Sequence, residues 1–101
     1  MTHRVRFDPR AAAEEQASVD WYENRRPGLG AEFATAIDDA LHRICENAEG
    51  YPLWQDGQPF RKCTMRRFPY SLFYVLEQDA VVVLAVAHSR RRPGYWQQKD
   101  L

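Results

Sequence analysis

The stretch YSLFYVLEQDAVVVLAVAH, residues 70–88, decides the fold of this 101-residue chain. It holds two runs rich in β-branched and aromatic residues, YSLFYVL and AVVVLAVAH, separated by a short polar segment at 77–79. Such a pattern predicts two antiparallel strands joined by a tight turn. Both runs are apolar on both faces, so each face of this part of the sheet needs a cover.

Two more strands are predicted outside this hairpin. In FRKCTMRRF, residues 60–68, polar and apolar residues alternate, with Cys63 and Met65 on one side and polar side chains on the other. RVRF, Arg4–Phe7, alternates in the same way near the amino terminus. It predicts a short, half-buried strand.

A first helix is predicted after Asp8, whose side chain can accept backbone N–H bonds as an N-cap, and Pro9 fits the first helical position. The helix runs to about Arg25. Its apolar residues have helical spacing: Ala13, Ala17 and Trp21, with Val19 and Tyr22 beside them. Pro27 and Gly28 end it, because proline biases the preceding residue away from the helical region and Gly28 can take the left-handed cap.

A second helix over about residues 29–48 is the clearest element of the sequence. One apolar stripe runs along it: Phe33, Ile37, Ala40, Leu41, Ile44 and Ala48. A short connection between two long helices predicts an antiparallel hairpin. Residues 1–101 thus predict one α+β domain, β-α-α-β-β-β, with the helical hairpin packed on a small, mainly antiparallel sheet. The hairpin covers one apolar face, so the other must be curled, covered by the tail, or covered by a different chain.

The composition narrows the class of protein. No apolar run approaches the roughly 20 residues of a membrane span, and the first ten residues lack the apolar stretch of a secretory signal. We therefore expect a cytoplasmic protein without a membrane partner. Cys45 and Cys63 are far apart, and no paired cysteine or histidine spacing typical of zinc sites occurs. We expect no metal and no cofactor.

The formal net charge of zero hides an uneven distribution of charge. Residues 1–50 hold six Arg and ten acidic residues, net −4, whereas residues 51–101 hold eight basic and four acidic residues, net +4. This asymmetry hints at an anionic partner for the second half, although a solvated charged face gives the same count.

The stretch HSRRRPGYW, residues 88–96, holds the residues best suited to chemistry. Metal-free RNA cleavage needs a base, an acid and a cation near the phosphate. His88 is a candidate base or acid, Tyr95 a candidate proton donor or stacking residue, and Arg67 a candidate phosphate ligand. Further arginines are candidates for contact with a target or a phosphate: Arg66, Arg90, Arg91 and Arg92. In an extended segment Arg91 would point away from its two neighbours.

The order of elements and several short words resemble the RelE/ParE family of bacterial toxins from type II toxin-antitoxin modules. These words follow one another along nearly the whole chain: WYE at 21–23, PGLG at 27–30, Phe33, YP at 51–52, RRFPY at 66–70 and AVAHSRRRPGYW at 85–96. The words PGLG, RRFPY and HSRRRPGYW are more similar to the ParE branch, whose characterised members inhibit DNA gyrase. Members of the RelE branch cut messenger RNA on the ribosome.

The resemblance implies a toxin of a plasmid stabilisation module, neutralised in a hetero-oligomer with a cognate antitoxin. That antitoxin would be a small DNA-binding protein encoded nearby, whose carboxy-terminal segment wraps the toxin. Candidate residues for the antitoxin interface are aromatic: Phe73, Tyr74, Tyr95 and Trp96. An apolar face left uncovered by the helical hairpin would agree with such a partner.

Three functions are compatible with the resemblance. The leading hypothesis is a ParE-like toxin that inhibits gyrase by binding, without chemistry of its own. The second is a metal-independent, ribosome-dependent endoribonuclease using Arg67, His88 and Tyr95. Against it, the chain has only two lysines, Lys62 and Lys99, and the catalytic set of the nuclease branches is incomplete. The third is a degenerate member that binds an antitoxin but is not toxic.

Overall fold

The computed structural model describes residues 4–54, 57–92 and 94–97. The elements follow in the order β1 (Arg4–Phe7), α1 (Pro9–Arg25), α2 (Leu29–Glu46), β2 (Arg61–Thr64), β3 (Tyr70–Glu77), β4 (Ala80–His88) and a 3-10 turn (Tyr95–Gln97). The predicted order and the α+β fold are confirmed. Among the described residues, no helix has the length and apolar character needed to cross a bilayer.

The strands form one mixed sheet in the order β1-β4-β3-β2. Strand β3 is antiparallel to both β2 and β4, whereas β1 runs parallel to β4. The β3–β4 hairpin turns at Gln78, which has a φ of +55°. The predicted hairpin and the mainly antiparallel pairing are confirmed. Strands β3 and β4 lie in the middle of the sheet because both are apolar on both faces.

A β-bulge in the middle of β4 changes which residues face the helices. Phe73 pairs with Ala85, but its neighbour Tyr74 pairs with Val83, so the register shifts at Leu84. The helix-side core contains Val81 and Val83 before the bulge and Val86 after it. An extra residue in one strand inverts the alternation of faces beyond it. The carboxyl end of β4, including His88, is therefore rotated relative to its beginning.

Helix α2 buries the predicted stripe against the helix-facing side of the sheet. Five of the six predicted positions are buried: Phe33, Ile37, Ala40, Ile44 and Ala48. Leu41 is partly buried. The helix ends at Glu46, two residues before the predicted end, so Ala48 packs from the segment that follows it. Tyr74 of β3 joins this core with no exposed surface, and its hydroxyl donates to the carbonyl oxygen of Ala48 at 2.6 Å. This bond satisfies the one polar atom of a buried aromatic side chain.

Helix α1 packs through a face that matches the predicted one only in part. Ala13 and Ala17 are exposed, and Trp21 is 52% exposed, with the Arg25 guanidinium 4.7 Å from its ring centroid. The helix instead packs through its other apolar side chains and some polar ones: Ala11, Glu14, Ser18, Val19 and Tyr22. Of the five apolar residues predicted for this helix, Val19 and Tyr22 do pack against the core, and the prediction was wrong for Ala13, Ala17 and Trp21. Alanines occur on several sides of α1, so they do not define one packed face.

The connection between the helices depends on Glu23 and two glycines. Gly28 is left-handed, with a φ of +89°, but it is the N-cap of α2 and not the C-cap of α1. The Glu23 carboxylate accepts hydrogen bonds from the backbone N–H groups of Gly28 and Gly30, each at 3.0 Å. A Cβ at Gly30 would lie 2.7 Å from the carbonyl oxygen of Val19. The words WYE and PGLG are thus parts of one helix junction.

The second face of the sheet is covered by the chain itself. Trp96, in the tail described over residues 89–92 and 94–97, is 7% exposed. Its ring centroid lies 4.7 Å from that of Phe60, 5.0 Å from Phe73 and 5.6 Å from Trp54. Of the three covers that the sequence left open, the structure shows the tail, helped by the loop before β2. The second apolar face therefore gives no evidence for a partner.

Candidate functional site

The tail begins with a tight turn around His88. The backbone N–H of Arg91 donates to the His88 carbonyl oxygen at 3.0 Å, and the N–H of Arg90 donates to the His88 ring Nδ1 at 3.0 Å. The extended conformation predicted for this arginine run is wrong, because the imidazole accepts the N–H that an extended chain would expose. Arg91 consequently folds back over the Tyr95 ring, with its guanidinium 3.7 Å from the ring centroid.

His88 faces mainly towards the helices. Its ring lies edge-on to Tyr70, with centroids 5.0 Å apart, and Tyr70 belongs to the helix-side core. His88 also borders an open groove of about 340 Å³ between β4 and α1, next to Trp21 and Tyr22. The bulge in β4 causes this orientation. In this structure the His88 imidazole thus accepts a backbone N–H through Nδ1 and packs on a core tyrosine.

Tyr95 is held by a carboxylate of α1. Its hydroxyl donates to Glu14 Oε2, and Glu14 Oε1 accepts the backbone N–H of Val86 at 2.9 Å. Burial, together with the hydrogen bond to Glu14, raises the pKa of the Tyr95 phenol above its ordinary value. Glu14 was missed from the sequence, since a glutamate in an amphipathic helix is typical of a solvent face.

Arg66 and Arg67 lie on the helix side of the molecule, where carboxylates of α2 neutralise them. Arg67 contacts Glu32 at 2.5 Å, and its guanidinium lies 4.9 Å from the Phe68 ring centroid. The hydrogen bond from Arg67 lowers the pKa of the Glu32 carboxyl. Arg66 lies 3.8 Å from Asp39. Both ion pairs are largely exposed, so each contributes little stability.

A small cavity of about 140 Å³ lies on the opposite side, between the tail and the sheet. His88 and Tyr95 both border it, and so do three cationic side chains: Lys62, Arg91 and Arg92. Arg67 and Arg90 are not part of its lining. Three residues were predicted for RNA cleavage. The structure places His88 and Tyr95 at one cavity, whereas Arg67 is paired with Glu32 on the helix side.

The predicted antitoxin residues differ in what they expose. Tyr74 has no exposed surface and belongs to the helix-side core, so it presents nothing to a partner. Phe73 and Trp96 are 6% and 7% exposed because they cover each other. Tyr95 is partly buried. An interface drawn from these four residues therefore reduces, in this conformation, to Tyr95 and the exposed edges of Phe73 and Trp96.

A comparison with protein families identifies the chain. Residues 5–93 match the family described as "ParE toxin of type II toxin-antitoxin system, parDE". The chain belongs to this ParE toxin family. The family predicted from the short words WYE, PGLG and RRFPY is thereby confirmed, and so is the ParE branch.

A solved structure has the same fold as this ParE-family toxin. It is titled "Chromosomal ParDE TA system from P. aeruginosa", and it superposes with a TM-score of 0.74 over 86% of this chain and 96% of that chain. The two sequences are 18% identical, so the likeness concerns the fold alone. No curated protein is similar enough to the chain to count as a match.

A metal site and a reactive thiol each place requirements on the described side chains. Among residues 4–54, 57–92 and 94–97, no three or more His, Cys, Asp or Glu side chains are grouped so that they could hold a metal ion. Cys63 of β2 is buried, and burial raises the pKa of its thiol. A thiol held in this way is a poor nucleophile.

Proposed function

We propose that this ParE-family toxin inhibits DNA gyrase by binding it, without chemistry of its own. It would act in the cytoplasm as the toxin of a plasmid stabilisation module. The observation that best supports this proposal is that the polar groups required for RNA cleavage already have partners within the chain. Arg67 is paired with Glu32, and the Tyr95 hydroxyl donates a hydrogen bond to Glu14.

Each engagement weakens one catalytic role. Proton transfer requires a base and an acid with free positions facing the substrate and pKa values near the working pH. The His88 Nδ1 already accepts the Arg90 N–H. The Tyr95 phenol has a raised pKa, so it gives up its proton less readily. Arg67 shares its charge with a carboxylate and lies outside the cavity that His88 and Tyr95 border. A protein that binds its target does not need these groups free.

The cognate antitoxin is the second part of the proposal. A family member of a toxin-antitoxin system is expected to be held inactive by a small DNA-binding protein encoded nearby. The two would form a hetero-oligomer. Tyr95 remains in the proposed antitoxin interface, since it is only partly buried. Tyr74 is left out because it is fully buried.

Inducible expression without the antitoxin tests the proposed target. We expect growth to stop with a DNA damage response, and we expect the same response from His88→Ala and Arg67→Ala. Messenger RNA should show no new ends. New ends that disappear in His88→Ala would overturn the gyrase proposal, and unimpaired growth at full expression would show a non-toxic antitoxin-binding member.

Ribosome-dependent RNA cleavage is the second candidate function. One observation favours it: His88 and Tyr95 border the same cavity as Lys62, Arg91 and Arg92. A rearrangement that freed Tyr95 from Glu14 would give this cavity an acid, a base and cations. Translation arrest in place of a DNA damage response, lost in both His88→Ala and Tyr95→Phe, would support the nuclease.

A further inference from the structure

The cavity under the tail has a local excess of positive charge. Lys62 of β2 and Arg91 and Arg92 of the tail all border it. Among the described residues, none of the three forms an ion pair with a carboxylate, whereas Arg66 and Arg67 both do. The cations on the helix side are thus neutralised by carboxylates of α2, whereas those at the cavity have no such partner among the described residues.

Two of these cations lie against aromatic rings, and the backbone of the third is hydrogen-bonded. The Arg91 guanidinium stacks on Tyr95, whose hydroxyl is bound to α1, and the Tyr95 N–H donates to the carbonyl oxygen of Arg92 at 3.2 Å. The Lys62 ammonium lies 6.0 Å from the ring centroid of its cross-strand partner Phe73. Cations held in place before a ligand arrives lose less side-chain entropy on binding.

Two further hydrogen-bond donors lie around the cavity. The Ser89 hydroxyl borders it and has one proton to donate, whereas the Ser71 hydroxyl, which also borders it, already donates to Thr64 Oγ1 at 3.4 Å. Trp96 also borders it, and the indole N–H of this buried side chain has no acceptor among the described residues. Buried donors are normally paired. An acceptor-rich anion matches this set.

We propose that this cavity binds a phosphate group. Guanidinium groups bind phosphate oxygens through parallel hydrogen bonds, and the Lys62 ammonium and the Ser89 hydroxyl supply further donors. The cavity volume of about 140 Å³ is on the order of ten times the roughly 10–15 Å³ that one water molecule needs on the same measure. The site therefore takes a single phosphate group, either free or as part of a nucleic acid backbone. It does not depend on whether gyrase is the target.

The three tryptophans give a direct test by nuclear magnetic resonance of the full-length toxin labelled with ¹⁵N. Trp54 and Trp96 border the cavity, whereas Trp21 borders the groove beside α1. Inorganic phosphate should shift the indole N–H peaks of Trp54 and Trp96 and leave that of Trp21 in place, and acetate should shift none of them. Unmoved peaks for Trp54 and Trp96, or an equal response to acetate, would overturn the site.

Matched variants show whether the named side chains form the site. Arg92→Gln and Lys62→Gln should each weaken phosphate binding about tenfold, the effect of losing one charge-assisted hydrogen bond. Arg90→Gln removes the same charge from the same run, but Arg90 is not in the lining, so it should change the affinity less than about twofold. Equal weakening by all three variants would indicate general charge attraction and contradict the site.

The source of the phosphate is decided by a third titration with a short DNA duplex. If the duplex shifts the same two indole peaks and inorganic phosphate displaces it, the natural ligand is a phosphodiester backbone. If only inorganic phosphate shifts them, the ligand is a free phosphate or a small phosphorylated molecule. Either result retains the site, and shifts confined to Trp21 would overturn it.

Discussion

The Tyr95 hydroxyl donates a hydrogen bond to the Glu14 carboxylate, although the two residues are 81 positions apart in the sequence. The same carboxylate accepts the Val86 N–H of β4. Glu14 therefore joins the first helix, the last strand and the tail. It fixes the tail over the second face of the sheet, where Trp96 completes the core.

Tyr95→Phe tests this bond because it removes only the hydroxyl. We expect the free energy of unfolding to fall by about 1 to 2 kcal/mol, since a hydrogen bond to a charged acceptor contributes up to about 3 kcal/mol and this one is only partly buried. Urea unfolding followed by circular dichroism measures the change. In a double-mutant cycle with Glu14→Gln, the two losses should not add. Additive losses would mean that the two side chains are not coupled.

Alkaline pH should destabilise the protein partly through Tyr95. Its pKa is raised in the folded state, whereas an unfolded tyrosine titrates near pH 10. Below about pH 10 both states keep the proton and the stabilisation is fully present; above it the unfolded state loses the proton first, so stability falls as pH rises. Unfolding measured over an alkaline pH series should show a shallower fall for Tyr95→Phe. Some fall should remain, because Tyr74 also has a raised pKa. Identical slopes for wild type and variant would contradict the assignment.

The cap at the start of α2 should depend on the Glu23 carboxylate. Glu23→Ala leaves the N–H groups of Gly28 and Gly30 without their side-chain acceptor, and we expect it to cost about 1 kcal/mol, as for other helix caps. Glu23→Gln keeps one acceptor oxygen and should cost less. The control is Asn24→Ala, an exposed neighbour in the same turn. Thermal unfolding compares the three variants, and a loss in Asn24→Ala as large as in Glu23→Ala would refute the cap.

Trp96 should stabilise the fold far more than Trp21. Trp96→Ala removes a buried ring that packs on Phe60 and Phe73, and we expect a loss of about 3 to 5 kcal/mol. Trp21 is half exposed and stacks on Arg25, so Trp21→Ala should cost about 1 kcal/mol or less. Trp96→Phe should fall between them. Similar unfolding midpoints for the two alanine variants would show that the tail does not close the core.

Elements with a clear hydrophobic pattern could be predicted from the sequence. The α2 stripe from Phe33 to Ala48 and the hairpin of residues 70–88 were found because their periods are clear and their burial follows directly. The packed face of α1 was predicted only in part, since alanines lie on several sides of the helix and Trp21 is exposed to solvent. The bulge at Leu84 could not be predicted either, because it inserts one residue without changing the apolar composition of the strand.

The candidate site was predicted as a set of residues but not as an arrangement. His88, Tyr95, Arg91 and Arg92 do border one cavity, yet Arg67 is paired with α2. The roles of Glu14 and Glu23 depend on contacts between helices and strands far apart in the sequence. A single sequence gives no pattern for such a contact. Lys62 was likewise not predicted to lie at this cavity.

The supercoiling activity of purified DNA gyrase tests the central claim most directly. Relaxed plasmid, gyrase and ATP are incubated with the purified toxin, with His88→Ala, and with toxin bound to its antitoxin. We predict that the toxin and His88→Ala inhibit supercoiling equally and that the antitoxin restores it. Undiminished supercoiling at toxin concentrations that stop growth would contradict the account.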